Sequence, residues 1–194
     1  LLCALVLVQS GLGGTRAEDA PSQIGPVVPP ATSCTVVPRT ADELLALFST
    51  ATPADPAAME MTATITLGER ADDVSAQHVT STIHQAFACL NAGDYGRFLA
   101  LMTDQMVVTN FPWVAEMLAD DASAADVMTP HPPEAAFQQS ILGIGSIARL
   151  ADGRYSAVVV GIDPSGSDAP FALYLILVEQ NGTWLIDEAI EFDR

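Results

Sequence analysis

Hydrophobic residues recur along this chain at two different periods, and the change of period divides it. Between residues 73 and 90 the apolar side chains Val79, Ile83, Ala86, Phe87 and Leu90 return every three or four positions, which lays them along one face of an α-helix. Asp72 or Asp73 stands where a side-chain oxygen caps the first turn, and Gly93 follows as a stop. Asp94 repeats the capping signal ahead of Phe98, Leu99, Leu101 and Met102, so a second helix follows across the short hinge from Asn91 to Asp94. A third helix is predicted from Pro112 to Leu118, with proline in the first turn, where a missing N–H leaves no helical bond unmade. Met106 to Asn110 reads as a short strand, and Asp120 to Pro133, rich in Asp, Ser and Pro, reads as a loop.

Beyond that loop the strand period takes over. Ile141–Arg149, Tyr155–Ile162, Phe171–Glu179 and Thr183–Phe192 are separated by Ala151 to Gly153, by Pro164 to Pro170 and by Asn181-Gly182, which predicts a meander with three antiparallel pairings. Helices first and strands afterwards is an α+β order: three N-terminal helices packed on one face of a curved antiparallel sheet. Upstream, residues 59–67 alternate Met59, Met61, Ala63, Ile65 and Leu67 with polar positions, the pattern of a half-buried strand at a sheet edge. Thr40 and Glu43 stand in capping-box order before Leu44, Leu45, Leu47 and Phe48, so a short helix is expected there, docked on the domain. Seven of the thirteen prolines fall between Pro21 and Pro56, and residues 18–70 read as a Pro-rich linker carrying that helix and that edge strand. Residues 71–194 form the domain.

The first nine residues are an apolar run, followed by glycines and by Thr15-Arg16-Ala17, the order of a secretory signal and its small-residue cleavage site. We expect residues 1–17 to be a signal peptide, the mature chain to begin at Glu18, and the protein to be secreted or associated with the cell envelope. No later stretch approaches the roughly 18 apolar residues of a membrane span. Cys3 leaves with the signal, so Cys34 and Cys89 remain, and in an oxidising compartment two cysteines suggest one disulfide; the alternative is a pair of separate buried thiols.

Charge narrows the partners. The chain of 194 residues carries 24 acids against 7 bases, a net charge of −17, and every base is an arginine, so phosphate backbones and anionic lipid would be repelled and nucleic-acid binding is excluded. A hydrophobic content of 49 % with only 16 % charged residues belongs to a chain with a core, not to a disordered one. Candidate chemistry is sparse. His78 and His84, six apart, stand about 240° from each other around a helix and present no shared metal face. Gly143 and Gly145 lead into more strand, not into a helix that could cradle phosphate, and Asp120, Asp121 and Asp126 lack the spacing of a calcium loop. No metal and no cofactor is predicted. Tyr95, Trp113, Tyr155, Tyr174 and Trp184 are the aromatic candidates for lining a pocket, or else core.

Two runs resemble a known family. Ile83 to Asp104, containing Ala88-Cys89-Leu90-Asn91-Ala92-Gly93-Asp94-Tyr95 and then Phe98 to Asp104, is similar to the opening helices of the nuclear transport factor 2-like superfamily, and Gln180 to Glu188 is similar to its last hairpin. The resemblance implies a cone of helices on sheet, the ketosteroid isomerase-like fold, whose mouth can hold a small apolar molecule and whose outer sheet face often forms a homodimer. Some members are isomerases, cyclases or dehydratases, and others have no catalytic role. In the isomerase branch a tyrosine and an aspartate move the substrate's proton. Ala86 and Asn110 occupy those positions here, and neither an alanine nor an amide can do that work. The expected function is therefore an exported, non-catalytic domain binding a small apolar ligand or a protein partner in or around a cone-shaped pocket. The alternative is an isomerase, cyclase or dehydratase using a carboxylate outside the family pattern. Glu188 is the candidate: it alternates with Trp184, Ile186, Ile190 and Phe192 on one face of the last strand, where burial would raise its pKa, unless the strand bends and Glu188 pairs with an arginine.

Overall fold

The computed structural model describes residues 26–50, 68–164 and 167–192. The expected signal peptide and the strand expected over 59–67 lie outside the described residues. The described helices are α1 (Ala41–Thr50), α2 (Asp73–Asn91), α3 (Tyr95–Ala100), α4 (Asp104–Asn110), α5 (Pro112–Leu118) and α6 (Asp121–Met128). The described strands β1 (Glu69–Arg70), β2 (Ser140–Arg149), β3 (Tyr155–Asp163), β4 (Ser167–Gln180) and β5 (Thr183–Glu191) form one sheet in chain order, antiparallel throughout. The fold is α+β, as the order of periods requires.

The caps fall where the sequence puts them. Thr40 Oγ1 accepts from the Glu43 amide at 3.2 Å while Glu43 Oε2 accepts from the Thr40 amide at 2.7 Å, a reciprocal capping box. Asp72 Oδ1 accepts from the Ser75 amide at 2.9 Å to start α2, and Asp94 Oδ1 from the Arg97 amide at 3.0 Å to start α3. Gly93, at φ 60°, turns the chain between them, and any Cβ there would stand 2.0 Å from the His131 carbonyl oxygen; conformation and close approach both demand glycine.

Two expectations give way, both to caps. Residues 106–110 are helix, not strand: Thr103 Oγ1 accepts from the Met106 amide at 3.2 Å, starting α4 and burying Met106 and Val107. The strand-like backbone lies just upstream, where Ile186 donates to the Leu101 carbonyl at 2.8 Å and Thr103 donates to the Ile186 carbonyl at 2.9 Å, covering part of the β5 edge. Within the expected loop 120–133, Asp120 Oδ2 accepts from the Ser123 amide at 3.0 Å and from its hydroxyl at 2.8 Å, and α6 follows. An Asp two residues before an alanine-rich stretch is a cap before it is loop composition.

One core lies between helices and sheet. Val79, Ile83, Ala86 and Phe87 of α2, all buried, share it with Leu99, Val107 and Val114 from the shorter helices and with Ala157, Val159, Leu175, Leu177 and Ile186 from the sheet. A second cluster, Leu150, Tyr174 and Ile176 with Val158, Ile190 and Phe192, uses the opposite face of the same strands.

The arm at residues 26–50 is fastened to the start of β2 and around the α2–α3 hinge. Val27 exchanges both backbone bonds with Ile141 at 2.8 Å. Asn91, 1 % exposed, donates to the carbonyls of Pro29 and Gln139 at 3.1 and 3.0 Å and accepts from the Gln139 amide at 2.8 Å. Cys34 is bonded to Cys89, as the cysteine count suggested. Arg97 Nε donates to the Val36 carbonyl at 2.9 Å. The arm explains why Ala86 to Cys89 are buried at four successive positions: one side of that turn meets the sheet and the other meets the arm.

Candidate functional site

The face of β5 expected to hold Glu188 is divided by a bulge. Leu177 pairs with Ile186 but Ile176 pairs with Glu188, so Asp187 is the extra residue. Cross-strand partners share a face. Trp184 and Ile186 therefore stay with the helices, whereas Glu188 joins Ile176, and Ile190 joins Tyr174, on the far side. Glu188 does not point toward the helices. It accepts a short hydrogen bond from Arg154 Nη1, which also reaches Asp187 Oδ2 at 2.9 Å, while Arg154 Nε reaches Asp152 Oδ2 at 2.8 Å. The bond to Glu188, followed by those to Asp187 and Asp152, outweighs partial burial and pushes the Arg154 guanidinium above its already high ordinary value. The Glu188 side chain keeps 44 % of its exposure, so this is a surface charge cluster.

The five aromatic candidates do not converge. Tyr155 meets Trp184 edge-on at 4.9 Å, and His78 stacks on the same indole at 5.8 Å. Ser75 Oγ lies 3.1 Å from the Tyr155 hydroxyl and 2.8 Å from Asp72 Oδ2. Since the serine proton goes to the carboxylate, the tyrosine donates to the serine. The Ser75 amide and then its hydroxyl hold the Asp72 carboxyl below the usual carboxylate range, and this chain of oxygens completes a helix cap. Tyr95 and Trp113 meet elsewhere, edge to face at 5.6 Å between α3 and α5. Tyr174 is buried on the far face of the sheet. Ala86 is a core residue, and Asn110, exposed at the end of α4, donates back to the Met106 carbonyl at 3.2 Å.

Apolar side chains from both layers meet between helices and sheet, with Phe87 stacked on Phe171 at 6.3 Å. Among the described residues no group of His, Cys, Asp or Glu is arranged to hold a metal ion, and no helix is long and apolar enough to cross a membrane. Among the described residues, two grooves open outside this layer. One, of about 350 Å³, runs between β1, β2 and the first turn of α2, beside Arg70, Asp73 and Ser146. Ser146 stands at a β2 bulge with φ 52°, a strained conformation for any residue with a Cβ.

The larger groove, of about 620 Å³, lies between the arm and α1. Val37, Pro38, Ala46 and Leu47 form its apolar walls, and Arg39, Glu43 and Asp104 its polar ones. Arg39 is fixed by three acceptors: the Leu99 carbonyl at 3.1 Å, the Met102 carbonyl at 2.7 Å and Asp104 Oδ1 at 2.6 Å. The first lies in the last turn of α3 and the second two residues past its end, where carbonyls left without helical partners are well satisfied by a guanidinium. The Thr40 amide, and then its hydroxyl, hold the Glu43 carboxyl below its usual range. Sequence reading missed Arg39 and Arg154. The available signal was scarcity: in a chain of net charge −17 with arginine as its sole base, each guanidinium is surrounded by potential partners. Comparison with family models, with curated proteins and with solved structures found no match.

Proposed function

We propose that this chain is an exported, non-catalytic binding domain of the nuclear transport factor 2-like kind, holding a small apolar ligand or a protein partner at the surface around its helix–sheet layer. The observation that carries the reading is the ion pair of Glu188 with Arg154. The carboxylate best placed by sequence pattern to serve as an interior acid or base is on the far face of β5, and the buried side chains that cluster in the layer it would have served are apolar. An enzyme needs an acid or base converging on its pocket, whereas a binder can work without one. Export is supported by the Cys34–Cys89 bond, since such bonds persist in oxidising compartments. The family reading is supported by helices preceding a four-strand meander, with the two quoted runs on the α2–α3 hinge and the β4–β5 hairpin.

Native mass spectrometry of the full chain, recovered from the medium or envelope of its own host, tests this. The expected result is a noncovalent adduct or hetero-complex whose bound component is released chemically unchanged, on a polypeptide beginning at Glu18. Release of the bound molecule as an isomer, cyclised product or dehydrated product would replace this reading with the enzymatic one.

A further inference from the structure

We propose that the groove between the arm and α1 docks an extended cationic segment of a partner protein, its aliphatic side chains against Val37 and Leu47 and an arginine or lysine between Glu43 and Asp104. This deepens the binding-domain reading and rests on it. The groove, at about 620 Å³, lies within the usual range for ligand pockets and can take a few side chains. Its arm wall ends in Val37, which is 85 % exposed and whose N–H and C=O make no bond among the described residues. An extended partner can pair with that backbone as an added strand does.

The carboxylates select the charge. Arg39 occupies Asp104 Oδ1, and Thr40 occupies Glu43 Oε2, so Asp104 Oδ2 and Glu43 Oε1 remain open among the described residues. The Asp104 side chain is 70 % exposed while Arg39, which also lines the groove, is 19 % exposed: the anion is the more accessible member of the pair. Complementarity on the scale of the whole chain agrees. At net charge −17 without a lysine, a second copy of this chain, a nucleic acid or an anionic lipid would be repelled, whereas a basic partner would be drawn in. Within the groove Arg39 already takes one oxygen of Asp104, which leaves a net negative charge from Glu43 and Asp104 together, while Arg97 and Arg154 are paired with carboxylates elsewhere.

The test is an amide NMR titration of the full chain with acetyl-Val-Arg-Val-Arg-Val-amide, against the same peptide with Glu for Arg, at about 0.15 M salt so that long-range attraction is screened. The arginine peptide is expected to shift Val37, Ala46, Leu47, Thr50 and Asp104, and the glutamate peptide none of them. Glu43→Gln, which keeps the capping box, should weaken binding about threefold, and Glu43→Gln with Asp104→Asn about tenfold. Glu116→Gln with Asp126→Asn removes the same charge from α5 and α6 and should leave the affinity within about twofold. Shifts spread evenly over α5 and α6, equal weakening by the two double variants, or no shift at millimolar peptide would overturn the proposal. A silent groove in a chain that still carries a bound component by native mass spectrometry would overturn the docking site and leave the binding-domain reading standing.

Discussion

The arm and the meander are held to the same helices by opposite means. Strands β2 to β5 are joined by backbone ladders broken only at bulges, and in β3 and β4 the helix-facing residues enter the core at every second position, so cohesion is distributed over many equivalent contacts. The arm over residues 26–50 sends one fully buried side chain, Leu44, into the core with Val36, Leu47 and Phe48 packed beside it, and is otherwise held by single attachments: the Val27–Ile141 bridge, the Asn91 clasp, the Cys34–Cys89 bond and the two arginines Arg39 and Arg97. A ladder loses little when one side chain changes. A clasp loses most of what it contributes, because its buried partners are left without replacements.

The largest expected difference comes from the disulfide. Cys34 and Cys89 are 55 residues apart, and in the chain-entropy model a loop of that size stabilises by about 4 kcal/mol. Replacing both by alanine should lower the urea unfolding free energy by about that much, with hydrogen exchange accelerating in α1 and the arm before it does in β3 and β4. A loss under about 1 kcal/mol, or exchange that rises equally in arm and sheet, would show that the two regions are not held differently. Two free thiols titrating in the unreduced protein would remove the bond from the account.

The Asn91 clasp is next. Asn91→Ala deletes three hydrogen bonds at a position 1 % exposed and strands the Gln139 amide and the Pro29 and Gln139 carbonyls. The expected cost is about 2–4 kcal/mol, with arm amides again the first to exchange. Thr183→Ala, on an exposed β5 position at the hairpin end, should change stability by less than about 0.5 kcal/mol. Similar losses for the two would erase the distinction between clasp and ladder.

The same contrast explains what was legible in the sequence. Strand boundaries in the meander were expected to within a few residues, because a period of two is a local signal and Gly153 and Asn181-Gly182 mark two of the turns. The α2 face and the Thr40, Asp72 and Asp94 caps were legible for the same reason. The α4 and α6 helices were misread where composition was weighed above the caps at Thr103 and Asp120. The Asp187 bulge left no mark in the alternation of β5, and it moved Glu188, Ile190 and Phe192 to the other face. Arg39, Asn91 and Arg154 act across 33 to 65 positions of the chain, and no local pattern announces a partner that distant. The aromatic candidates failed likewise: their number was known, but their convergence depended on which helix each one faced.

The smallest expected effect tests whether the caps behave as local signals in solution as well. Glu43, Asp72 and Asp120 head α1, α2 and α6, and Asp152 heads the β2–β3 turn. All four lie at the surface with carboxyls held below their usual range. The cause is chiefly an amide hydrogen bond at Glu43, Asp72 and Asp152 and the Ser123 hydroxyl at Asp120. A group whose pKa is lower folded than unfolded adds stability above the unfolded value and loses it as the pH falls through the folded one. The melting temperature should therefore be level from about pH 7 to 5 and decline below about pH 4, where ordinary carboxylates begin to protonate. Asp72→Ser keeps a capping oxygen without a titrating charge, so it should melt near the wild type at neutral pH and decline less between about pH 5 and 3. An equally steep decline in the variant would mean that the Asp72 cap holds α2 by shape alone, and that acid acts on the chain through charges elsewhere, Arg154 and its three carboxylates being the densest such cluster described.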